Sequence, residues 1–250
     1  MKTNRESRWF GYRQVDPAEK TRLVESVFDS VASRYDLMND LMSGGIHRAW
    51  KNRFVRMMHP SPAKTLLDVA GGTGDIAFRY RALAGEDARI TVCDINHEML
   101  KVGQSRAIDR GYINGFKWIE GNAEKLPFKD NSFDLYSISF GLRNVAKIDD
   151  ALAEARRVLK PGGQFFCLEF SQLKNNLLQK LYDEYSFRLI PKIGGLVTGD
   201  RESYQYLVES IRQFPKPDQL ARRMKDAGFD KVQVTPLSGG IAAVHVGTVY

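Results

Sequence analysis

The sequence predicts an α/β fold built on a mostly parallel sheet, and three features of the chain carry that prediction. Strand-like and helix-like segments alternate from residue 64 to 170, the first of these strands runs into a glycine-rich turn, and a short glycine-containing loop joins the last two strands. Regular alternation favours parallel strands with right-handed crossovers and helices on both faces of the sheet. We expect a single domain, since α/β domains commonly reach the 250 residues of this chain.

The individual strands and helices follow from hydrophobic patterns and turn residues. Apolar runs predict strands at Thr65–Val69, 89–93, 115–119, Phe133–Ser139, 164–170, 231–235 and 241–249. Helices are predicted at 75–84, 96–110 and 148–159. A Lys-Pro-Gly-Gly turn at 160–163 is expected to end the last of these helices before the next strand.

The remaining parts of the chain are expected to add helices around this sheet. Apolar residues recur at helical spacing in two N-terminal segments, first at Val24, Val27, Phe28 and Val31 and then at Trp50, Phe54 and Met57. Residues 1–62 are therefore predicted to form a helical cap on a core of residues 63–170. Roughly 60 residues precede the next strand, more than one crossover needs, so 171–228 are predicted to be a helical insert or lid and 229–250 an antiparallel hairpin.

The net charge of +7 leaves three explanations open. A solvated basic surface is the simplest, and attraction to an anionic membrane surface or an acidic partner is the second. Binding to nucleic acid is the least favoured, because no basic run is interleaved with aromatic residues as a stacking platform would be. We therefore predict no nucleic-acid partner.

The sequence also indicates the compartment and argues against metal chemistry. Cys93 and Cys167 both fall in predicted buried strands, where two free thiols are favoured over a disulfide, and two such residues make no metal site. The polar start lacks the apolar region of a secretory signal, and no stretch reaches the roughly 20 apolar residues of a membrane-spanning helix. A cytoplasmic protein without a bound metal is expected.

The glycine-rich turn after the first predicted core strand is the main candidate for a cofactor site. Its glycines would let the backbone approach a ligand, and the following helix would present free N–H groups. The spacing of Gly72, Gly74 and Ala77, with Asp94 about 20 residues further on, also matches the dinucleotide fingerprint. The motif alone leaves NAD and S-adenosylmethionine as alternatives.

Acidic residues around this turn favour S-adenosylmethionine. Asp68 lies in the strand before the glycines and Asp75 begins the next helix, where they would repel a pyrophosphate and attract a sulfonium and an ammonium group. Asp94 ends the second strand and could accept hydrogen bonds from both ribose hydroxyls. Asn122 and Ala123 follow the third strand, where they could contact an adenine ring.

Four further segments narrow the interpretation to a family. They are residues 32–51 (ASRYDLMNDLMSGGIHRAWK), 138–145 (ISFGLRNV), 157–163 (RVLKPGG) and 200–211 (DRESYQYLVESI). With the glycine turn they resemble the C-methyltransferases of ubiquinone and menaquinone biosynthesis, over nearly the whole chain. The resemblance implies a class I methyltransferase fold, with a Rossmann-like sheet of seven strands that ends in an antiparallel hairpin.

The resemblance also implies an activity and a set of cofactor contacts. The family methylates demethylmenaquinol and a polyprenylated methoxy-benzoquinol, with S-adenosylmethionine as the methyl donor. By matching position, the cofactor contacts would be Thr73, Asp94, Asn122 with Ala123, and Ser139. Ser139 comes from the resemblance alone.

Methylation of a ring carbon requires a group that ionises the neighbouring hydroxyl, because the phenolate pushes electron density onto the ortho carbon. Arg143 after the fourth core strand is the predicted cation for the developing phenolate, and Asn144 is expected to hold a ring oxygen. Asp36 and His47, from the N-terminal segment, are the candidate bases.

The predicted substrate is a polyprenylated quinol, and its tail requires an apolar groove. The insert supplies apolar residues for one, at Leu177, Leu178, Leu181, Tyr182, Tyr185, Phe187, Leu189 and Ile190. Delivery from a membrane predicts transient contact with the inner face of the cytoplasmic membrane, and a homodimer or a quinone-biosynthesis assembly is a further expectation. The rival functions are an NAD-dependent oxidoreductase, a methyltransferase of another small molecule or of nucleic acid, and a non-catalytic scaffold.

Overall fold

A computed structural model describes residues 9–31, 40, 45–171 and 201–250 of the chain. These residues form nine strands: β1 (Trp9–Phe10), β2 (Arg13–Gln14), β3 (Thr65–Val69), β4 (Arg89–Asp94), β5 (Phe116–Glu120), β6 (Phe133–Ser139), β7 (Leu159–Phe170), β8 (Lys231–Leu237) and β9 (Ala242–Thr248). They also form seven α-helices: α1 (Pro17–Val31), α2 (His47–Met57), α3 (Asp75–Ala84), α4 (His97–Asp109), α5 (Ile148–Val158), α6 (Arg201–Gln213) and α7 (Pro217–Asp226).

Seven of the strands form one sheet in the order β5-β4-β3-β6-β7-β9-β8. The first five run parallel, whereas β9 is antiparallel to both β7 and β8. The predicted parallel sheet with an antiparallel C-terminal hairpin is therefore confirmed. Because β3 lies between β4 and β6, the carboxyl ends of these neighbouring strands meet at one edge of the sheet, where open α/β sheets bind ligands.

Two local features differ from the sequence prediction. The Lys-Pro-Gly-Gly segment at 160–163 lies inside β7 rather than before it, because Gly162 N donates to Val249 O (2.7 Å) and Val249 N donates to Gly163 O (3.0 Å). The pairing of β6 with β7 shifts register at this segment. In addition, β1 and β2 form a two-stranded hairpin that the sequence analysis did not identify, since two-residue strands carry no readable periodicity.

The hydrophobic core has two halves, one on each face of the sheet. On the first face Phe54 of α2 meets Phe166 of β7 edge to face, with ring centroids 6.3 Å apart. On the second face Leu152 of α5 and Leu220 of α7 are fully buried. Burying such a side chain stabilises the fold by about 1.5–3 kcal/mol. The first half fixes α2 beside α3, and so brings α2 next to the glycine turn.

The cap and the insert of the predicted domain division are described only in part, whereas the hairpin at 229–250 is described throughout. Helices α1 and α2 lie in the predicted cap, and α6 and α7 lie in the predicted insert. The apolar residues at 177–190, expected to form a tail-binding wall, lie outside the described residues. Within the described ranges, no helix is long and apolar enough to cross a membrane.

Candidate functional site

A cleft opens at the carboxyl ends of β3, β4, β5 and β6 and encloses about 1060 Å³, including its open mouth. Most of the predicted site residues line it, namely Asp68, Gly72, Thr73, Asp94, Asn122, Ala123, Ser139 and Asn144. Residues from α1, α2 and α3 line it as well. The cleft is therefore the place where the residues predicted from four separate strand ends come together.

The backbone around the cleft adopts unusual conformations at two neighbouring strand ends. Ala70, directly after β3, has φ +50°, and Phe140, directly after β6, has φ +56°. Non-glycine residues avoid this region, and such strain concentrates at ligand sites. Gly141 packs so closely that a Cβ there would lie 2.5 Å from the Ala70 Cβ, so the two strand ends require a glycine between them.

The glycine turn is held in place by Asp94. Gly72 has φ +51° and donates its N–H to Asp94 Oδ2 at 2.8 Å. A Cβ on Gly72 would lie 2.9 Å from Met99 Cε, a contact that the flexible methionine could relieve, so it is the positive φ that favours glycine at this position. Gly74 does not line the cleft; it is the N-cap residue of α3, with φ +83°. Thr73 is buried and its Oγ1 accepts a hydrogen bond from Arg106 Nη1 at 3.0 Å.

Asp94 is a buried acceptor with capacity left on both oxygens. Its Oδ1 accepts from Asn96 N at 2.9 Å, and its Oδ2 accepts from Gly72 N. Burial raises the pKa of Asp94 to about 6, although the backbone hydrogen bonds oppose this effect. Each carboxylate oxygen has two lone-pair sites, so each can still accept a hydrogen bond from a ligand hydroxyl.

Asn122 and Ala123 lie next to Asp94 in a turn that is stabilised by local hydrogen bonds. Asn122 Oδ1 accepts from Glu124 N at 2.8 Å, and Glu124 Oε1 in turn accepts from Ala146 N and Lys147 N, both at 3.0 Å. The polar groups of this part are thus engaged by the backbone. We call it the β4–β5 end of the cleft, formed by Asp94, Asn96, Met99, Asn122 and Ala123.

The opposite part of the cleft, which we call the β3–β6 end, is formed by Lys51, Asp68, Asp75, Ser139 and Phe140. Asp68 is 1% exposed and its Oδ1 accepts from Ser137 Oγ at 2.6 Å. Its Oδ2 and the buried Ser139 Oγ have no hydrogen-bond partner among the described residues. Burial raises the pKa of Asp68 to about 7, and the nearby Asp75 and Asp94 add to this shift.

Asp75 differs from Asp68 because cations already neutralise it. Its Oδ2 accepts from Lys51 Nζ and its Oδ1 accepts from Arg79 Nε, both at 2.8 Å. Lys51 and Arg79 lower the pKa of Asp75, although burial opposes them. Asp68 and Asp75 were predicted to share one electrostatic role, but Asp75 is paired with two cations, so Asp68 is the candidate that remains for it.

Arg143 lies behind the cleft rather than in it. Its side chain is fully buried, and Nη1 donates to Glu169 Oε2 at 3.0 Å and to Phe140 O. Its own N–H donates to Glu169 Oε1 at 3.1 Å. Asn144 does line the cleft, and its Oδ1 accepts from the buried Tyr206 hydroxyl at 2.9 Å. The structure therefore separates two adjacent residues that the sequence analysis placed together.

Of the two predicted bases only His47 is among the described residues, and it does not line the cleft. His47 is 2% exposed, and its Nδ1 lies 3.6 Å from Asp40 Oδ1. Burial and the charge of Lys51 lower the pKa of His47 to about 4, so its ring is neutral and weakly basic near pH 7. This placement disfavours His47 as the base, and the role stays a prediction. Asp36 lies outside the described residues.

Helix α1, part of the predicted N-terminal cap, covers part of the cleft, although none of its residues was singled out from the sequence as a site residue. Thr21 and Val24 line the cleft, and Lys20 is buried beside them. Lys20 Nζ donates to Val145 O at 3.1 Å, which ties α1 to the loop after β6. Burial lowers the pKa of Lys20 to about 8, although Glu124 opposes the shift.

Lys51 is another lining residue that was not predicted as a site residue, although the sequence carried a signal for it. The apolar stripe of α2 contains Trp50 and Phe54, and Lys51 falls within that stripe. A lysine on the apolar face of a helix is rarely buried unless it is paired, so its position predicts an acidic partner. That partner, Asp75, could not be identified before the packing of α2 against α3 was known.

Three features of the cleft fit a nucleoside that carries a cationic amino-acid chain. Asp94 offers acceptors to a ribose, the glycine turn leaves space that a side chain would fill, and Asp68 presents a buried oxygen that lacks a partner among the described residues. A cationic group beside Asp68 would favour its ionised form.

Comparison with known families agrees with this geometry. A model of the ubiE/COQ5 methyltransferase family matches residues 15–249. The ubiquinone/menaquinone biosynthesis C-methyltransferase UbiE of Brucella canis is 57% identical over 240 residues, which cover 95% of this chain and 89% of the relative. The protein of the same name from Brucella anthropi is 55% identical and covers 95% and 91%.

Solved structures share the fold at low sequence identity. A SAM-dependent methyltransferase from Aquifex aeolicus superposes with a TM-score of 0.61 and 15% identity, covering 95% of this chain and 100% of its own. Phosphoethanolamine N-methyltransferase 2 of Haemonchus contortus, in complex with S-adenosyl-L-methionine, gives a TM-score of 0.57 and 16% identity, covering 76% of this chain and 39% of its own. At such identities the likeness establishes the class I methyltransferase fold alone.

Proposed function

The chain belongs to the ubiE/COQ5 methyltransferase family, and on that premise we propose that it methylates a ring carbon of a polyprenylated quinol. It is an S-adenosylmethionine-dependent C-methyltransferase of ubiquinone and menaquinone biosynthesis, as its 57% identical relatives are named. The observation that carries the proposal from the structure is the buried carboxylate of Asp68, a residue that lines the cleft and whose Oδ2 has no hydrogen-bond partner among the described residues.

The cofactor would be held by residues from both ends of the cleft. At the β4–β5 end Asp94 would accept the ribose hydroxyls, and Asn122 with Ala123 would border the adenine. At the β3–β6 end Asp68 would attract the positive charge and Ser139 Oγ would donate or accept a hydrogen bond. When bound, S-adenosylmethionine supplies an electrophilic methyl group on a sulfonium.

The residues around Phe140 would position the quinol. We assign the ring oxygen to the Asn144 side-chain amide, because Asn144 lines the cleft and Tyr206 fixes its Oδ1. Arg143 would act through the loop that it anchors to Glu169, since its charge is already balanced there. Asp36 remains the candidate base for the ring hydroxyl, with His47 as the alternative.

The polyprenyl tail and the membrane contact extend the proposal beyond the quinol head. A long isoprenoid chain partitions into bilayers, so an enzyme that acts on its head group must meet the membrane surface at least transiently. The net charge of +7 would favour the anionic inner face of the cytoplasmic membrane. A homodimer or a larger biosynthetic assembly stays a prediction, to be measured by light scattering of the purified protein.

The deciding experiment is a methyl-transfer assay with the purified protein, S-adenosylmethionine and a chemically reduced quinol. Demethylmenaquinol and 2-polyprenyl-6-methoxy-benzoquinol should be tested separately, and mass spectrometry should find one added methyl group on the ring. In a parallel melting experiment, S-adenosylhomocysteine should raise the Tm and NAD should not.

Each rival function corresponds to a different failure of these two measurements. Stabilisation by NAD alone would indicate an oxidoreductase. Stabilisation by S-adenosylhomocysteine without turnover of either quinol would indicate another methyl acceptor or a non-catalytic scaffold. In cells that lack the protein, accumulation of the unmethylated quinone precursor would support the proposed reaction in its biological setting.

A further inference from the structure

The charges that line the cleft are unequal in number, and this imbalance points to a role for Lys51. Among the described lining residues the acids are Asp68, Asp75, Asp94 and Glu124, whereas the single cationic side chain is Lys51. S-adenosylmethionine carries a permanent carboxylate in addition to its ammonium and sulfonium groups. A carboxylate that enters a cleft with this acidic lining is repelled unless a cation meets it.

We propose that the ε-ammonium of Lys51 binds the carboxylate of the cofactor's methionine group. This inference rests on the function proposed above and assigns to Lys51 a binding role in the same cleft. With the ribose at Asp94 and the adenine at Asn122, the amino-acid chain extends across the glycine turn towards the β3–β6 end. There Asp68 and Lys51 together present an acid and a cation, the two charges that match an α-amino acid.

The surroundings of Lys51 suit it to this role. Its side chain is 4% exposed, and Asp75 Oδ2 holds Nζ at 2.8 Å. An ammonium has three N–H donors, so the pair with Asp75 orients the group and leaves donors for a ligand. The same pair places the ammonium at the first turn of α3, whose N-cap Gly74 makes no side-chain capping hydrogen bond. The positive end of the helix dipole adds to the attraction for a carboxylate.

The Lys51 charge has a second candidate role, because Nζ also lies 6.0 Å from the centroid of the Phe140 ring. From there it could face the methyl acceptor and stabilise a phenolate. The carboxylate is favoured because it is ionised in every bound cofactor and needs a counter-charge throughout binding, whereas a phenolate exists only while the acceptor is being activated. The two roles make opposite predictions for cofactor affinity.

The test compares two ligands that differ only in the carboxylate. One is S-adenosylhomocysteine, and the other is 5′-deoxy-5′-(3-aminopropylthio)adenosine, which keeps the amine and lacks the carboxylate. In calorimetry, Lys51→Met should weaken the binding of S-adenosylhomocysteine about 10- to 100-fold, the range expected for a hydrogen bond to a charged group. The affinity for the amine analogue should stay within about threefold of the wild-type value. Equal losses for both ligands, or no loss for either, would overturn the proposal.

Matched variants separate a direct contact from the loss of a partner for Asp75. Arg79→Met also leaves Asp75 with one cation, but Arg79 does not line the cleft, so S-adenosylhomocysteine affinity should stay within about threefold. The double variant Lys51→Met/Asp75→Asn removes both charges and should still bind S-adenosylhomocysteine weakly. If the double variant recovered wild-type affinity, Lys51 would merely neutralise Asp75 and the proposal would fail.

The remaining outcomes distinguish this inference from the proposed function. If Lys51→Met binds S-adenosylhomocysteine as the wild type does but turns over more slowly, the charge faces the acceptor and the carboxylate assignment is wrong. If the wild-type protein itself binds neither ligand, the proposed function fails before Lys51 is tested. Melting curves of every variant ensure that affinities are compared between folded proteins.

Discussion

At the β4–β5 end of the cleft both oxygens of Asp94 already accept backbone hydrogen bonds, whereas at the β3–β6 end Asp68 Oδ2 has no partner among the described residues. The hydrogen bonds at the β4–β5 end are formed within the protein itself, so this end would bind a neutral nucleoside by its shape. The second end keeps a buried carboxylate whose ionised form is disfavoured by burial. From this difference we infer that the β4–β5 end would recognise mainly the shape of a ligand and the β3–β6 end mainly its charge.

The largest expected effect is a loss of stability on breaking the Arg143–Glu169 ion pair behind the β3–β6 end. Arg143→Met would leave Glu169 buried and unbalanced, and should lower the free energy of unfolding by about 3–5 kcal/mol. Chemical denaturation of the purified variant measures this loss. The double variant Arg143→Met/Glu169→Gln removes both charges and should recover most of the stability.

The same double variant tests whether Arg143 takes part in catalysis. If Arg143 positions the loop, the stable double variant should retain turnover within about tenfold of the wild type, since ordered packing rather than the charge is needed. A double variant that is folded and binds S-adenosylhomocysteine normally, but is inactive, would restore the phenolate-stabilising role predicted from the sequence.

The next effect should come from the β4–β5 end and should not depend on the charge of the ligand. Asp94→Ala removes the acceptors for the ribose and the anchor of Gly72, so we expect about 100-fold weaker binding. Because this end recognises the nucleoside, S-adenosylhomocysteine and 5′-methylthioadenosine should lose affinity equally in calorimetry. The control is Asp109→Ala, an exposed acid on α4. Unequal losses of affinity for the two ligands would contradict the division of the cleft into one end that recognises shape and another that recognises charge.

The smallest effect is a dependence on pH that only the β3–β6 end should produce. In the free protein the pKa of Asp68 is raised to about 7, so its contribution to folding stability is full at acidic pH and is lost as the pH rises through 7. A cationic ligand prefers the ionised form, so its binding should instead strengthen over the same range. Between pH 6 and 8 the affinity for S-adenosylhomocysteine should rise about tenfold relative to that for 5′-methylthioadenosine.

Comparing the two ligands as a ratio cancels the titration of Asp94, whose pKa of about 6 affects both. Asp68→Asn should abolish the pH dependence of the ratio, because an amide does not titrate. A ratio that stays constant with pH in the wild-type protein would show that Asp68 does not meet the cationic group.

The framework of the cleft could be predicted from the sequence because local patterns determine it. Strands β3 and β6 begin and end where their apolar runs do, and α3 begins at the residue after the glycine turn. Once such strands are parallel and adjacent, their carboxyl ends must meet, which is why Asp68, Asp94, Asn122 and Ser139 were found together. Family resemblance was needed for Ser139, since a lone serine after a strand carries no distinctive signal.

The charge pairs of the site could not be predicted, because they depend on how distant elements pack. The pair of Lys51 with Asp75 requires α2 to lie against α3, and the pair of Arg143 with Glu169 joins the loop after β6 to the end of β7. Both pairs place the predicted residues in surroundings that the sequence did not reveal. The charge of Asp75 is balanced by Lys51 and Arg79, and the Arg143 side chain is buried against Glu169 rather than lining the cleft.

Helix α1 bears on how quickly the enzyme can work. Thr21 and Val24 lie over the cleft, and the Lys20 ammonium fastens them to the carbonyl of Val145. We expect release of the spent cofactor to require this helix to move away from the cleft, which would break the Lys20–Val145 hydrogen bond and hydrate the buried ammonium. We therefore expect the residence time of the product, more than the speed of methyl transfer, to set the ceiling on successive cycles.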